Sequence, residues 1–119
     1  MVLKVIAYGE NILSVERRKH ARRHLEELAA RLYWVEGAQK REVDYFPNNV
    51  SVDGLSIMLN HILPVEAKMI LELDKGDVQL EVKWCKSNPK DPAIFKIGLA
   101  LQEGTTVNLE ELIKQELAD

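Results

Sequence analysis

Apolar and polar residues alternate most regularly in the second half of the chain. Val65, Ala67, Met69, Leu71 and Leu73 fall on one face of an extended segment, with Glu66, Lys68 and Glu72 on the other, which is the period of a half-buried strand. Asp74-Lys75-Gly76-Asp77 supplies turn chemistry. Val78, Leu80, Val82 and Trp84 then alternate with Gln79, Glu81 and Lys83, so the two segments predict a hairpin in which Trp84 shares the core face. A polar loop from Lys86 to Pro92 leads to a third strand, where Phe95, Ile97, Leu99 and Leu101 share a face. Arg41 to Phe46 and Leu55 to Leu59 are further short β-prone runs, separated by a bend-rich stretch from Pro47 to Gly54. Short strands at near-regular spacing predict a small antiparallel barrel. Near the end of the chain Asn108 suits a helix cap, with Glu111 three residues later completing a capping box. Leu109, Leu112, Ile113 and Leu117 give that helix, over about 108–118, an apolar stripe that should cover an open end of the barrel.

Local rules conflict between Val15 and Tyr33. Ala21, Leu25, Leu28, Ala29 and Leu32 fit helical spacing, and the Arg, Glu, Ala and Leu content favours helix. Yet Leu28, Ala30, Leu32 and Trp34 also alternate as a strand would. Propensity alone predicts helix.

At 119 residues and 46% hydrophobic, the chain predicts a single domain with one core, burying roughly two-thirds of its unfolded surface. The one cysteine, Cys85, excludes an intramolecular disulfide framework and a multi-thiolate zinc site, which points to a reducing cytoplasm. Between Met1 and Val15 the residues Lys4, Glu10 and Asn11 interrupt any export signal. No apolar run approaches the ~20 residues of a membrane-spanning helix, so no membrane insertion is expected.

The net charge of −3 hides an asymmetry. Arg17 to Arg23 reads RRKHARR, five positive charges in seven residues, while the remainder carries 11 positive and 19 negative. A chain that is acidic elsewhere is not expected to bind long nucleic acid, but a compact cationic cluster can hold a small anion. The same run also fits a solvated helical face paired with Glu16, Glu26 and Glu27.

Two spacings carry the candidate chemistry. Arg18 and Arg22 form R-x-x-x-R, and Asn49-Val50-Ser51-Val52-Asp53-Gly54 forms N-x-S-x-x-G. Asn, Ser, Asp and Gly together also make an ordinary turn. In this order, with Phe95-Lys96-Ile97-Gly98-Leu99 as a closing strand, the two spacings resemble the PilZ family of cyclic di-GMP receptors over roughly residues 16–104. Asn49 stands where that family often has Asp. The resemblance implies a mainly β fold, a six-stranded antiparallel barrel with a trailing helix. It also implies a ligand site of Arg17, Arg18, Arg22, Asn49, Ser51, Gly54 and, bordering the nucleotide, Trp84.

The chemistry of those residues suits such a ligand. A guanidinium pairs bidentately with phosphate oxygens or with guanine O6 and N7, and stacks on a base. Asn49 and Ser51 can read a guanine edge. Gly54 permits a positive φ after Asp53 and a close backbone approach. In the family, an arginine at the position of Arg17 accompanies capture of two stacked ligands, so two molecules of cyclic di-GMP per chain are expected.

No nucleophile with a neighbouring base and no carboxylate pair is evident, so neither catalysis nor a cofactor is expected. His20 and His24 are four apart, as metal ligands on one helical face would be, but a third ligand is lacking and no metal is expected. With no output domain, the receptor should act through a partner protein, in control of motility, adhesion or matrix export. The competing readings are an interaction protein of the same fold that works without nucleotide and an RNA-binding module. The first would lack the paired motifs. The second would need more exposed aromatics for stacking.

Overall fold

The alternating segments become a single curled antiparallel sheet closed at one side by a helix. The computed structural model describes residues 5–6, 23–25 and 28–118. Its strands are β1 (Val5–Ile6), β2 (Arg23–Leu25), β3 (Arg31–Glu36), β4 (Gln39–Val43), β5 (Phe46–Val50), β6 (Gly54–Leu59), β7 (Lys68–Leu73), β8 (Gly76–Asn88) and β9 (Asp91–Leu101), and its helix is α1 (Leu109–Ala118). The hydrogen-bonded order is β1-β2-β5-β6-β9-β8-β7-β3-β4.

Connectivity forces the sheet to curl. Only Asp44 and Tyr45 separate β4 from β5, six places away in the sheet order. Flat, those strands would stand about 29 Å apart, whereas three Cα steps span at most about 11 Å. The sheet therefore rolls until β4 approaches β5, which gives the expected small barrel-like fold, with nine strands among the described residues in place of six. Among the described residues the roll is completed through the chain itself, with no β4–β5 hydrogen-bonded ladder.

Inside the roll, Leu32, Val50, Leu55, Ile57, Met69, Leu71, Leu80, Val82, Ile97 and Leu99 are buried. Leu109 and Ile113 bring α1 onto the same core, with Leu112 and Leu117 packed beside them. The Asn108 Oδ1 accepts the Glu111 amide at 3.0 Å, so the predicted N-cap forms. At its other end α1 is tied to the β7–β8 turn, where Glu116 accepts the Asp74 amide at 2.8 Å and Gln115 accepts from Lys75.

Four local expectations change. The strand expected from Val65 begins only at Lys68, because Val65 and Glu66 form a turn closed by the Ala67 amide donating to the Pro64 carbonyl, which leaves Val65 exposed. Where the Val15–Tyr33 segment is described it is extended: Arg23–Leu25 and Arg31–Glu36 are strands, and Leu28, Ala30 and Leu32 are buried at alternate positions. Tertiary pairing with β5 and β7 overrides helix propensity there. The loop expected over Lys86–Pro92 shrinks to Pro89 and Lys90, because β8 and β9 pair as far as Asn88 and Asp91. The bend expected from Pro47 is confined to 51–53. Pro47 sits beside an irregularity in β5, a place where a strand tolerates a residue without an amide donor.

Candidate functional site

Four neighbouring strands, β5-β6-β9-β8, build a cleft on the outside of the roll. Its floor is the outward face of the two middle strands, where Gly54 pairs with Ala100 and Ser56 with Gly98. These four small residues leave a depression. A register shift in each flanking strand raises a wall beside it.

In β5 the shift falls between Pro47 and Asn49, so Asn48 and Asn49 both reach outward. The Asn48 amide donates to the Ser56 hydroxyl at 2.9 Å, and that hydroxyl donates to Asn49 Oδ1 at 2.7 Å. Ser56 is only 3% exposed, so its hydroxyl needs those partners, and in meeting the need it fixes the Asn49 side chain.

In β8 the shift falls between Val82 and Trp84, which leaves Lys83 unpaired. Val82 keeps its inward position opposite Leu99, but Trp84 comes to lie opposite Gly98, and Cys85 pairs with Ile97. The alternation that put Trp84 on the core face is broken by one residue. Trp84 instead lies on the outer face, half-buried, where it lines the cleft. A Cβ at Gly98 would fall 2.3 Å from the indole Cε2 and Nε1, so the indole occupies the space a side chain would take. The Lys86 ammonium lies 5.1 Å from the indole centroid, in cation–π range.

The bend at 51–53 closes one end. The Ser51 amide donates to the Gly54 carbonyl at 2.9 Å, and its hydroxyl donates to Asp53 Oδ1 at 3.1 Å. The backbone of this bend is held from outside as well: Val52 O accepts the Leu109 amide and Asp53 O the Leu101 amide, at 2.8 and 3.0 Å. The first turn of α1 thus anchors the bend. Gly54 is required for a reason other than the one expected, since it has no positive φ. A Cβ there would meet the Leu99 carbonyl oxygen at 2.8 Å, so glycine is needed for close packing of β6 on β9.

The resulting cleft holds about 170 Å³ and is lined by Asn49, Ser51, Asp53, Gly54, Ser56, Lys83, Trp84 and Gly98, among others. It thus unites four of the residues singled out in the sequence: Asn49, Ser51, Gly54 and Trp84. Arg17, Arg18, Arg22 and His20 lie outside the described residues. The chain just beyond them does not: Arg23 pairs with Val50 and His24 with Asn49. The arginine segment therefore runs directly into the strand beside the cleft. Because His24 is on a strand, the helical spacing on which a His20–His24 metal pair depends is absent at that residue. Asn48, Ser56 and Lys83 were not anticipated. Their signal was faint, two bulges and small residues at outward strand positions.

No helix among the described residues is long and apolar enough to cross a membrane. No family model matches the chain. Nor does any curated protein. In fold the chain is similar to the Bacillus subtilis inhibitor of motility, MotI/DgrA, with a TM-score of 0.55 and 16% sequence identity. The match covers 87% of this chain and 51% of that one, so the chain spans about half the length of the inhibitor. At this identity the likeness concerns the fold.

Proposed function

We propose that the chain is a non-catalytic receptor for cyclic di-GMP. A guanine enters the cleft between the Asn49–Ser51 wall and Trp84, and the guanidinium groups of Arg18 and Arg22 hold the phosphates. The observation that carries this reading is the pairing of β2 with β5, which brings the chain leaving R-x-x-x-R alongside N-x-S-x-x-G although the two are about 30 residues apart in sequence. Neither motif is specific alone. N-x-S-x-x-G lies on a cleft with an aromatic plate and fixed amide and hydroxyl groups, and R-x-x-x-R directly precedes the neighbouring strand in sequence; together they offer what a guanine nucleotide needs: cations, edge readers and a stacking surface.

Signal output follows from the same layout. A ligand held by these arginines at the cleft changes the shape and charge of the surface presented to a partner protein in the cytoplasm. That a protein of similar fold is an inhibitor of motility supports a regulatory output of this type. With Arg17 able to offset the charge of a second, stacked ligand, two molecules bind per chain.

Calorimetric titration with cyclic di-GMP tests the reading, with GTP and cyclic AMP as controls. Saturation near two ligands per chain is expected, and Arg17→Leu should reduce the count to one. Arg18→Ala or Arg22→Ala should each remove at least ~2 kcal/mol of binding, the value of a lost bidentate contact to a charged group. At a hundred times the dissociation constant the ligand should stabilise the fold by about 2.7 kcal/mol. Absence of heat and of any melting shift would reject the receptor. Equal, steeply salt-dependent losses in Arg18→Ala, Arg22→Ala and Lys19→Ala would favour RNA.

A further inference from the structure

The β8 bulge turns two side chains outward at once, Trp84 and Lys83, and the proposed ligand site uses only the first. Lys83 lines the cleft, and its side chain is about half exposed. Among the described residues that line the cleft it is the positively charged one, and Asp53, in the bend that closes one end, is the negatively charged one. Its ammonium rests 3.3 Å from Glu81 Oε2, while the other oxygen of that carboxylate takes Lys68 at 2.7 Å. Glu81 is thus shared by two lysines, and these two hydrogen bonds hold its carboxyl below the usual carboxylate range.

From this arrangement we infer that Lys83 is a phosphate-contacting residue of the same site, resting on Glu81 until an anion enters. The inference rests on the cyclic di-GMP reading and extends it. An ammonium held by a lone carboxylate would leave that group uncompensated on departure. Here Glu81 keeps Lys68, by the shorter of its two contacts, so Lys83 can exchange one anionic oxygen for another at small cost. The four-carbon stem of lysine gives the reach for such an exchange, and its point charge requires no fixed orientation of the phosphate. Position follows from the bulge: as the extra residue of β8, Lys83 stands next to the indole, so a base resting on Trp84 carries its phosphate past the ammonium.

The test is a calorimetric comparison of cyclic di-GMP affinity in the wild type, Lys83→Gln, Glu81→Gln and the double variant, each checked by thermal denaturation for folding. Lys83→Gln should weaken binding roughly tenfold, one charge-assisted contact at a partly open site. Glu81→Gln should tighten it by about threefold, because the lysine no longer has to be withdrawn from a carboxylate. In the double variant the Glu81→Gln gain should vanish. Wild-type affinity in Lys83→Gln overturns the inference and leaves the receptor standing, as does a gain from Glu81→Gln that persists without Lys83. If the wild type itself fails to bind cyclic di-GMP, the receptor reading falls and this inference falls with it.

Discussion

Among the described residues, a cleft of about 170 Å³ over β6 and β9 can be set beside one of similar size, about 210 Å³, at the Asp44–Phe46 corner. The second is lined by Asp44, Tyr45, Phe46, Leu59, Asn60 and Ile94. Volume does not separate them; the state of their polar groups does. In the first, Ser56 fixes Asn49, Asp53 receives Ser51, and the outer walls are raised by two bulges over a floor of glycine, serine and alanine. In the second, the Tyr45 hydroxyl is spent inward on the Ala30 carbonyl at 2.6 Å, and Phe46 stands 69% exposed. The corner cleft lies where the sheet rolls between β4 and β5. The outer cleft is assembled from features that cost the sheet regularity, two bulges and a floor of small residues, as the proposed ligand site requires.

If that contrast is right, changes to the floor of the outer cleft should be the most damaging. Gly54→Ala places a Cβ 2.8 Å from the Leu99 carbonyl, backbone against backbone, with no side chain free to move aside. A loss of about 2–3 kcal/mol in stability is expected, measured by denaturant unfolding, together with loss of ligand binding. A variant of wild-type stability would mean that β6 and β9 can separate freely and that the floor is not fixed.

Gly98→Ala sharpens the comparison by separating stability from binding. Its Cβ would collide with the Trp84 indole, which is half exposed and can swing outward. The stability cost should be about 1 kcal/mol, while the tryptophan emission changes and binding falls by more than tenfold. Unchanged emission would show that the indole does not lie where a Gly98 side chain would be.

Ser56→Ala removes one buried hydroxyl and leaves Asn49 Oδ1 without its donor. The expected loss is about 1–2 kcal/mol. Selectivity for guanine should fall as well, because Asn49 is then free to rotate. Selectivity retained in this variant would argue that Asn49 is positioned by some other contact.

How much of this was legible beforehand depends on what each residue's role required. The β7–β8 hairpin, the capped helix and the core alternation of Met69, Leu71, Leu80 and Ile97 follow from period and turn chemistry. The N-x-S-x-x-G loop could be located by its spacing. Trp84 could not be placed by alternation, since the bulge at Lys83 shifts the phase by one and nothing in the order of apolar and polar residues marks where a ladder skips. Arg23–Leu25 was opaque for a different reason: its local preference is helical, and only pairing with a strand 25 residues away makes it extended. Gly54 illustrates a third kind of gap. Glycine was rightly expected there, but the neighbour that demands it, the Leu99 carbonyl, is distant in sequence.

The smallest expected effect lies in the corner cleft, and Tyr45→Phe brings it out. Removing the hydroxyl leaves the Ala30 carbonyl without its bond, at a cost of about 1 kcal/mol near neutral pH, and ligand affinity should not change because no outer-cleft residue is touched. The pH dependence gives an independent check. Burial raises the Tyr45 phenol above its ordinary value of 10.0, so the folded chain holds this proton more tightly than the unfolded one. For a raised pKa the stabilisation is fully present below the unfolded value and declines as pH rises above it, where the unfolded chain ionises and the folded chain does not. The wild type should therefore lose its advantage over Tyr45→Phe progressively above pH 10, while other alkaline groups titrate alike in both proteins. Chemical denaturation of the pair at pH 8, 10 and 11 measures that gap. A gap that stays constant across the series would place the hydroxyl in contact with water, and a change in ligand affinity would join the two clefts that the structure keeps apart.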